Sequence, residues 1–150
     1  MKRFGVVALG LALASLPALA AEQTVQFKSG TATASGLLVT PDGKGPFPAV
    51  VVIHEWWGLD GWVKDQARAL AKEGYVALAV DLYDGKVATD KDSAHQYMMN
   101  LSQDKAVRDL EAAYAFLAAH KDVKKAAIGS IGWCMGGRYS ALLAVEEPAL

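Results

Sequence analysis

Ala49-Val50-Val51-Val52-Ile53 is apolar throughout and β-branched at four of its five positions. A strand with one wet face alternates polar and apolar residues, so an unbroken run of this kind fits a strand covered on both faces, as strands of parallel sheets are. Tyr75 to Val80, ending at Asp81, and Ala126 to Gly132 share that character. The segments between and after them are helical in period. Trp62 to Glu73 places Val63, Ala67, Leu70 and Ala71 on one face, with Lys64, Asp65, Arg68 and Lys72 outward and Gly74 as the stop. Ser93 to Leu101 predicts a short helix. Asp104 to His120 predicts a long one, with Val107, Leu110, Ala113, Tyr114 and Leu117 as its stripe and Lys105, Arg108, Asp109 and Glu111 outside it. Arg138 to Val145 predicts the last. Ahead of all these, Thr24 to Lys28 alternates, Ser29-Gly30 turns, and Thr33 to Thr40 is β-prone, which predicts a hairpin; Pro41 to Pro46 is a loop. Buried strands alternating with helices specify an α/β fold, a doubly wound parallel sheet with helices on its faces.

Several function classes drop out on composition. With 150 residues and 53% hydrophobic content the chain can bury one domain core, which excludes intrinsic disorder. A net charge of −1 without a basic cluster argues against a nucleic-acid partner. The single cysteine, Cys134, excludes an internal disulfide, and the three histidines have no metal-ligand spacing, so no metal and no cofactor is expected. At the start, Lys2 and Arg3 precede an apolar run from Phe4 to Leu16, then Pro17 and Ala18-Leu19-Ala20. That pattern predicts a signal peptide over residues 1–20, cleavage after Ala20, a domain over 21–150, and an exported protein, periplasmic or secreted, with no stable membrane span after cleavage.

The chemistry concentrates at two strand ends, where open α/β sheets bind ligands. Gly132-Trp133-Cys134-Met135-Gly136 lies directly between a strand and a helix and has the form of a G-x-nucleophile-x-G elbow with cysteine in place of serine. The glycines are needed because side chains there would crowd the turn against the neighbouring strand and helix. Cys134 at a helix N-terminus is biased toward thiolate, and the Met135 N–H is aimed at a developing oxyanion. A buried structural cysteine in a Gly-rich turn is the competing reading. A phosphate loop would want Lys-Ser/Thr, and Arg138-Tyr139 follows instead. At the other end, His54-Glu55-Trp56-Trp57-Gly58 offers a carboxylate, a second backbone donor at Trp56, and aromatic walls at Trp57 and, from the elbow, Trp133. His54 reads as a satisfied strand-end histidine and Asp81 as a hydrogen-bonded structural carboxylate.

Glu55 within His54-Glu55-Trp56-Trp57-Gly58, the strand end Asp81-Leu82-Tyr83, and Gly132-Trp133-Cys134-Met135-Gly136-Gly137 together resemble the dienelactone hydrolase family, over about Thr24 to Leu150. The resemblance implies an α/β-hydrolase fold and a Cys-Asp-His triad acting on a small-molecule ester or lactone. It implies that Cys134 is the nucleophile, that Glu55 takes part in activating its thiol, and that Met135 and Trp56 supply the backbone oxyanion hole. Trp57, Tyr83, Lys86 and Trp133 are then pocket residues. Members acting on dienelactone carry an arginine shortly after Asp-Leu-Tyr; Asp84-Gly85-Lys86 stands there, with Lys86 the available cation. The family's Asp and His follow the elbow by many residues, whereas no histidine follows Cys134 here. The expectation is therefore an N-terminal portion of such a hydrolase, inactive or nearly so alone. An exported, non-catalytic binding module using the cleft of Trp56, Trp57 and Trp133 is the alternative, and a thiol redox protein is disfavoured by the lack of C-x-x-C.

Overall fold

A computed structural model describes residues 21–150, so the signal segment expected over 1–20 lies outside the described residues. The elements are β1 (Ala21–Ser29), β2 (Ala32–Thr40), β3 (Phe47–Ile53), α1 (Gly61–Lys72), β4 (Val76–Asp81), α2 (Lys91–Asn100), α3 (Gln103–Ala119), β5 (Val123–Gly132) and α4 (Met135–Glu146). The sheet runs β1-β2-β4-β3-β5. β1 and β2 form the expected hairpin, turned at Gly30 with φ +59°, and β2 pairs antiparallel with β4. β4, β3 and β5 are parallel.

Every residue of β4 is buried, as are Val51, Val52 and Ile53 of β3, because helices cover both faces. α1 packs Val63, Ala67 and Ala71 on one face against Leu37, Val39, Val52, Ala77 and Ala79. The other face takes α3 and α4, where Leu110, Leu117 and Leu143 meet Val51, Ile53, Leu78 and Val80. This two-layer cover is the doubly wound arrangement that the apolar runs require.

Three local expectations are corrected. α4 opens at Met135, not Arg138, because Gly136 and Gly137 sit against backbone and so continue the helix to the elbow itself. β5 opens at Val123, not Ala126, since Phe47 pairs with Val123 ahead of an irregularity that sets residues 124–127 opposite Pro48. Asp109, expected on the wet face of α3, is 2% exposed. Its carboxylate accepts from Ser29 Oγ at 2.5 Å, Lys105 Nζ at 2.8 Å and Arg108 Nη2 at 3.3 Å, which makes burial of the charge tolerable.

Candidate active site

Cys134 is the second of the two residues between β5 and α4, with φ 53° and ψ −117°, and it is exposed. A non-glycine residue in that backbone region is strained by roughly 1–3 kcal/mol and persists where the surroundings over-determine it. Here they do. A Cβ on Gly132 would overlap the backbone of Gly136, and a Cβ on Gly136 would overlap the carbonyls of Ile53 and His54. The first turn of α4 is thus seated on the end of β3, and the chain that continues into Glu55 and Trp56 leaves from the very carbonyls it touches. The Gly136 N–H donates to Trp133 O at 2.8 Å and the Gly137 N–H to Cys134 O at 3.1 Å, closing the corner. Met135 begins the helix, so its N–H is among those without an intrahelical acceptor.

His54 is fully buried. Its Nδ1–H donates to Glu55 O at 2.5 Å, and Nε2 accepts from the Leu82 N–H at 3.1 Å. Burial holds its pKa below the ordinary histidine value, with the Glu55 carbonyl opposing that shift. A ring with both nitrogens committed is a brace between β3 and the loop after β4, in agreement with the structural reading. Asp81 is likewise a brace, accepting from the Tyr83 N–H at 3.0 Å and the Gly85 N–H at 2.5 Å.

Glu55, Trp56 and Trp57 are half-buried on the turn after β3. The Gly58 N–H returns to Glu55 O at 3.3 Å, and the Trp56 and Trp57 rings meet edge to face at 5.3 Å. The Ala88 N–H donates to Trp57 O at 2.9 Å, and Gly58, at φ +94°, has Lys86 O 2.5 Å from where a Cβ would stand. The loops 55–58 and 82–88 are therefore in direct contact. Tyr83 closes the circuit: its ring packs on His54 at 4.8 Å and its hydroxyl reaches Met135 Sδ. His54, Tyr83, Met135 and Gly136 thus join the ends of β3, β4 and β5.

Lys86 is the partial exception. It is exposed and its Nζ lies 5.7 Å from the centre of the Tyr97 ring on α2, bordering a groove of about 240 Å³ with Leu82, Tyr83, Asn100 and Lys105. Cys134 does not line that groove, and Tyr83, which lines it, also reaches Met135 beside the elbow. Sequence reasoning missed two residues. Tyr139, buried on α4, influences the Tyr83 phenol, and the Trp62 ring meets Trp133 edge to face at 4.9 Å. Trp62 carried a signal, an aromatic at the wet start of an amphipathic helix. Among the described residues no group of His, Cys, Asp and Glu could hold a metal ion, and no helix is long and apolar enough to cross a membrane.

Comparison with known proteins gives a consistent picture. The family model described as "Dienelactone hydrolase family" matches residues 34–150. A probable 2-oxo-3-(5-oxofuran-2-ylidene)propanoate lactonase of Bradyrhizobium sp is 35% identical over 116 residues, covering 75% of this chain and 46% of its own. A protein of Aquifex aeolicus (strain VF5) named "Putative carboxymethylenebutenolidase" is 32% identical over 134 residues, covering 85% and 57%. The crystal structure of a dienelactone hydrolase-like promiscuous phosphotriesterase, P91, from metagenomic libraries superposes with a TM-score of 0.79 at 29% identity, covering 89% and 57%. The chain spans about half the length of the curated relatives it matches.

Proposed function

The chain belongs to the dienelactone hydrolase family, and on that premise we propose that it carries the nucleophile of a hydrolase acting on ester or lactone bonds of small molecules. The observation that supports this most is the backbone of Cys134, an exposed thiol at φ 53° and ψ −117° at the mouth of a helix. A structural cysteine has no need of a strained corner that points it outward. The names of the Bradyrhizobium and Aquifex relatives support the class of bond.

In the reaction, the Cys134 thiolate attacks the acyl carbon and the carbonyl electrons move to oxygen. The Met135 and Trp56 N–H groups donate to that oxyanion, each such donor being worth about 3 kcal/mol. Collapse breaks the acyl–oxygen bond; the leaving alkoxide takes a proton, and in a lactone it stays attached as a hydroxyl. Water then attacks the thioester, releasing the acid and restoring the thiol. Glu55, on the turn after β3, takes part in activating the thiol, since the thiolate and not the thiol is the nucleophile.

None of the three histidines is placed as the base. His54 has both nitrogens engaged, His95 is exposed on α2, and His120 lies at the opposite end of β5, where its Nδ1 accepts from the Asp122 N–H. We assign the base and its orienting carboxylate to the part of the relatives' length that this chain does not match. Residues 1–20 act as an export signal in the same reading, so that N-terminal sequencing of exported protein begins at Ala21 or Glu22; intact Met1 in a membrane fraction overturns that part.

The test of the site is thiol chemistry. Cys134 should be alkylated by iodoacetamide rapidly below pH 7, with Cys134→Ala as the blank, and an activated p-nitrophenyl ester should acylate it. Labelling no faster than that of an ordinary thiol, or ester cleavage that survives Cys134→Ala, would overturn the assignment.

A further inference from the structure

All four tryptophans of the chain, Trp56, Trp57, Trp62 and Trp133, stand at the carboxyl ends of β3 and β5, where the elbow is. Three of them are at positions already considered. Trp62 is different. It lies in the first turn of α1, one residue before the fully buried Val63, on the wet side of a helix that buries Val63, Ala67 and Ala71. It is 46% exposed, among the large apolar side chains that the fold leaves open to water. An indole is a costly choice for a position that a lysine or glutamate would fill.

Its placement is fixed. Asp60 caps α1 by accepting from the Val63 N–H at 3.0 Å, which sets the turn that carries Trp62. Trp133 is partly buried and packs against the core cluster that α1 shares with β2, β3 and β4, and it is covalently adjacent to Cys134. The Trp62 and Trp133 rings meet at 4.9 Å with an interplanar angle of 76°. One indole is thus anchored in the core, and the second is held edge to face against it while keeping nearly half its surface open. Such π faces pair favourably with other flat rings, in addition to their apolar area.

Resting on the nucleophile reading above, we propose that Trp62, held by Trp133, is a specificity-determining residue: a platform beside Cys134 for a flat aromatic or conjugated ring of the ester or lactone. The site then selects aryl-bearing substrates over saturated ones of the same size.

The thiol itself can report on this. Alkylation rates of Cys134 would be measured in the intact protein with N-benzyl-iodoacetamide and N-(cyclohexylmethyl)-iodoacetamide, each normalised to its rate with glutathione. The two reagents match in size and differ in flatness. The wild type should prefer the benzyl reagent. That preference should fall roughly three- to tenfold in Trp62→Ala, fall similarly in Trp62→Leu, which keeps apolar cover over Trp133, and persist in Trp62→Phe. Rapid labelling with no benzyl preference, or a preference unchanged in Trp62→Leu, overturns the platform and leaves the nucleophile standing. Slow labelling of Cys134 by both reagents overturns the nucleophile reading and the platform with it.

Discussion

The hydroxyl of Tyr83 donates to Sδ of Met135 at 3.4 Å, tying the loop after β4 to the first residue of α4. Because Met135 follows Cys134, this bond connects the brace of Asp81 and His54 to the elbow. The Tyr83 pKa is pushed up to about 12, first by burial and then by the neighbouring Tyr139 phenol and Cys134 thiol. Tyr83 therefore remains a donor wherever a thiolate could work.

Removing that hydroxyl should be felt at both ends. Tyr83→Phe keeps the ring against His54 and deletes one neutral hydrogen bond, a loss of about 1 kcal/mol. Stability also acquires a signature. Between the ordinary tyrosine pKa and the raised folded value, the unfolded chain releases a proton that the folded one keeps, so folding weakens as pH rises from about 10. Thermal melts from pH 9 to 11.5 should show a shallower decline in Tyr83→Phe than in the wild type; parallel declines would contradict the shift.

His54 predicts the opposite limb. Its folded pKa is lowered, by burial above all, so on acidification the unfolded chain takes up a proton that the folded chain refuses. The fold should lose stability as pH falls through about 6.5, the unperturbed histidine value. His54→Gln should be less stable at pH 7.5, having lost the bridge from Glu55 O to the Leu82 N–H, yet flatter between pH 7 and 5. Urea titrations at four pH values suffice, and a steeper acid limb in the variant would reverse the sign argued here.

Much of this frame was legible before any coordinates. The β-branched run at Val50 to Ile53 specified a doubly covered strand, and the two glycines around Trp133-Cys134-Met135 specified a turn in which backbone meets backbone. Less visible were features that depend on a long-range partner. Asp109 follows Arg108 on a polar stretch of α3, and its burial depends on Ser29, brought across from the end of β1, joining Lys105 and Arg108 around the carboxylate. The start of α4 is not legible locally, because glycine at 136 and 137 has poor helix propensity. The compensating close packing against Ile53 and His54 belongs to tertiary structure. Trp62 was assigned to a helix correctly, while its edge-to-face contact with Trp133 lies beyond any local pattern.

The corner at Cys134 implies a trade between stability and chemistry. Glycine adopts φ 53°, ψ −117° without a Cβ penalty, so Cys134→Gly should stabilise the fold by about 1 kcal/mol, net of glycine's greater unfolded-state freedom, while abolishing thiol chemistry. Cys134→Ala should abolish the chemistry and gain no comparable stability. Equal melting temperatures for the two variants would show the corner to be unstrained. By contrast, Gly136→Ala should destabilise by about 3 kcal/mol or more, since a methyl has only the Ile53 and His54 carbonyls to enter.

The most severe surface-directed prediction concerns a charge that is not on the surface. Lys105 Nζ donates to Asp109 at 2.8 Å, to Asp84 Oδ1 at 3.1 Å and to Leu82 O at 3.3 Å, so it pins both residues flanking Tyr83 to α3. The Asp109 side chain is 3% exposed and that of Asp84 is 67% exposed, so the same cation makes one sheltered pair and one wet pair. Truncating the sheltered partner removes the acceptor of Ser29 Oγ and one of the three acceptors of Lys105; Asp109→Ala should cost about 1–3 kcal/mol, whereas Asp84→Ala should cost under about 1 kcal/mol. Lys105→Met should lie between them and should also slow Cys134 alkylation, because the loop that holds Tyr83 against Met135 is released. Lys105→Arg, which can still donate to Asp109, should restore part of that rate. Urea midpoints and alkylation rates for the four variants check the order. Equal costs for Asp109→Ala and Asp84→Ala would mean that burial does not set the strength of this network, and an unaffected alkylation rate in Lys105→Met would detach it from the elbow.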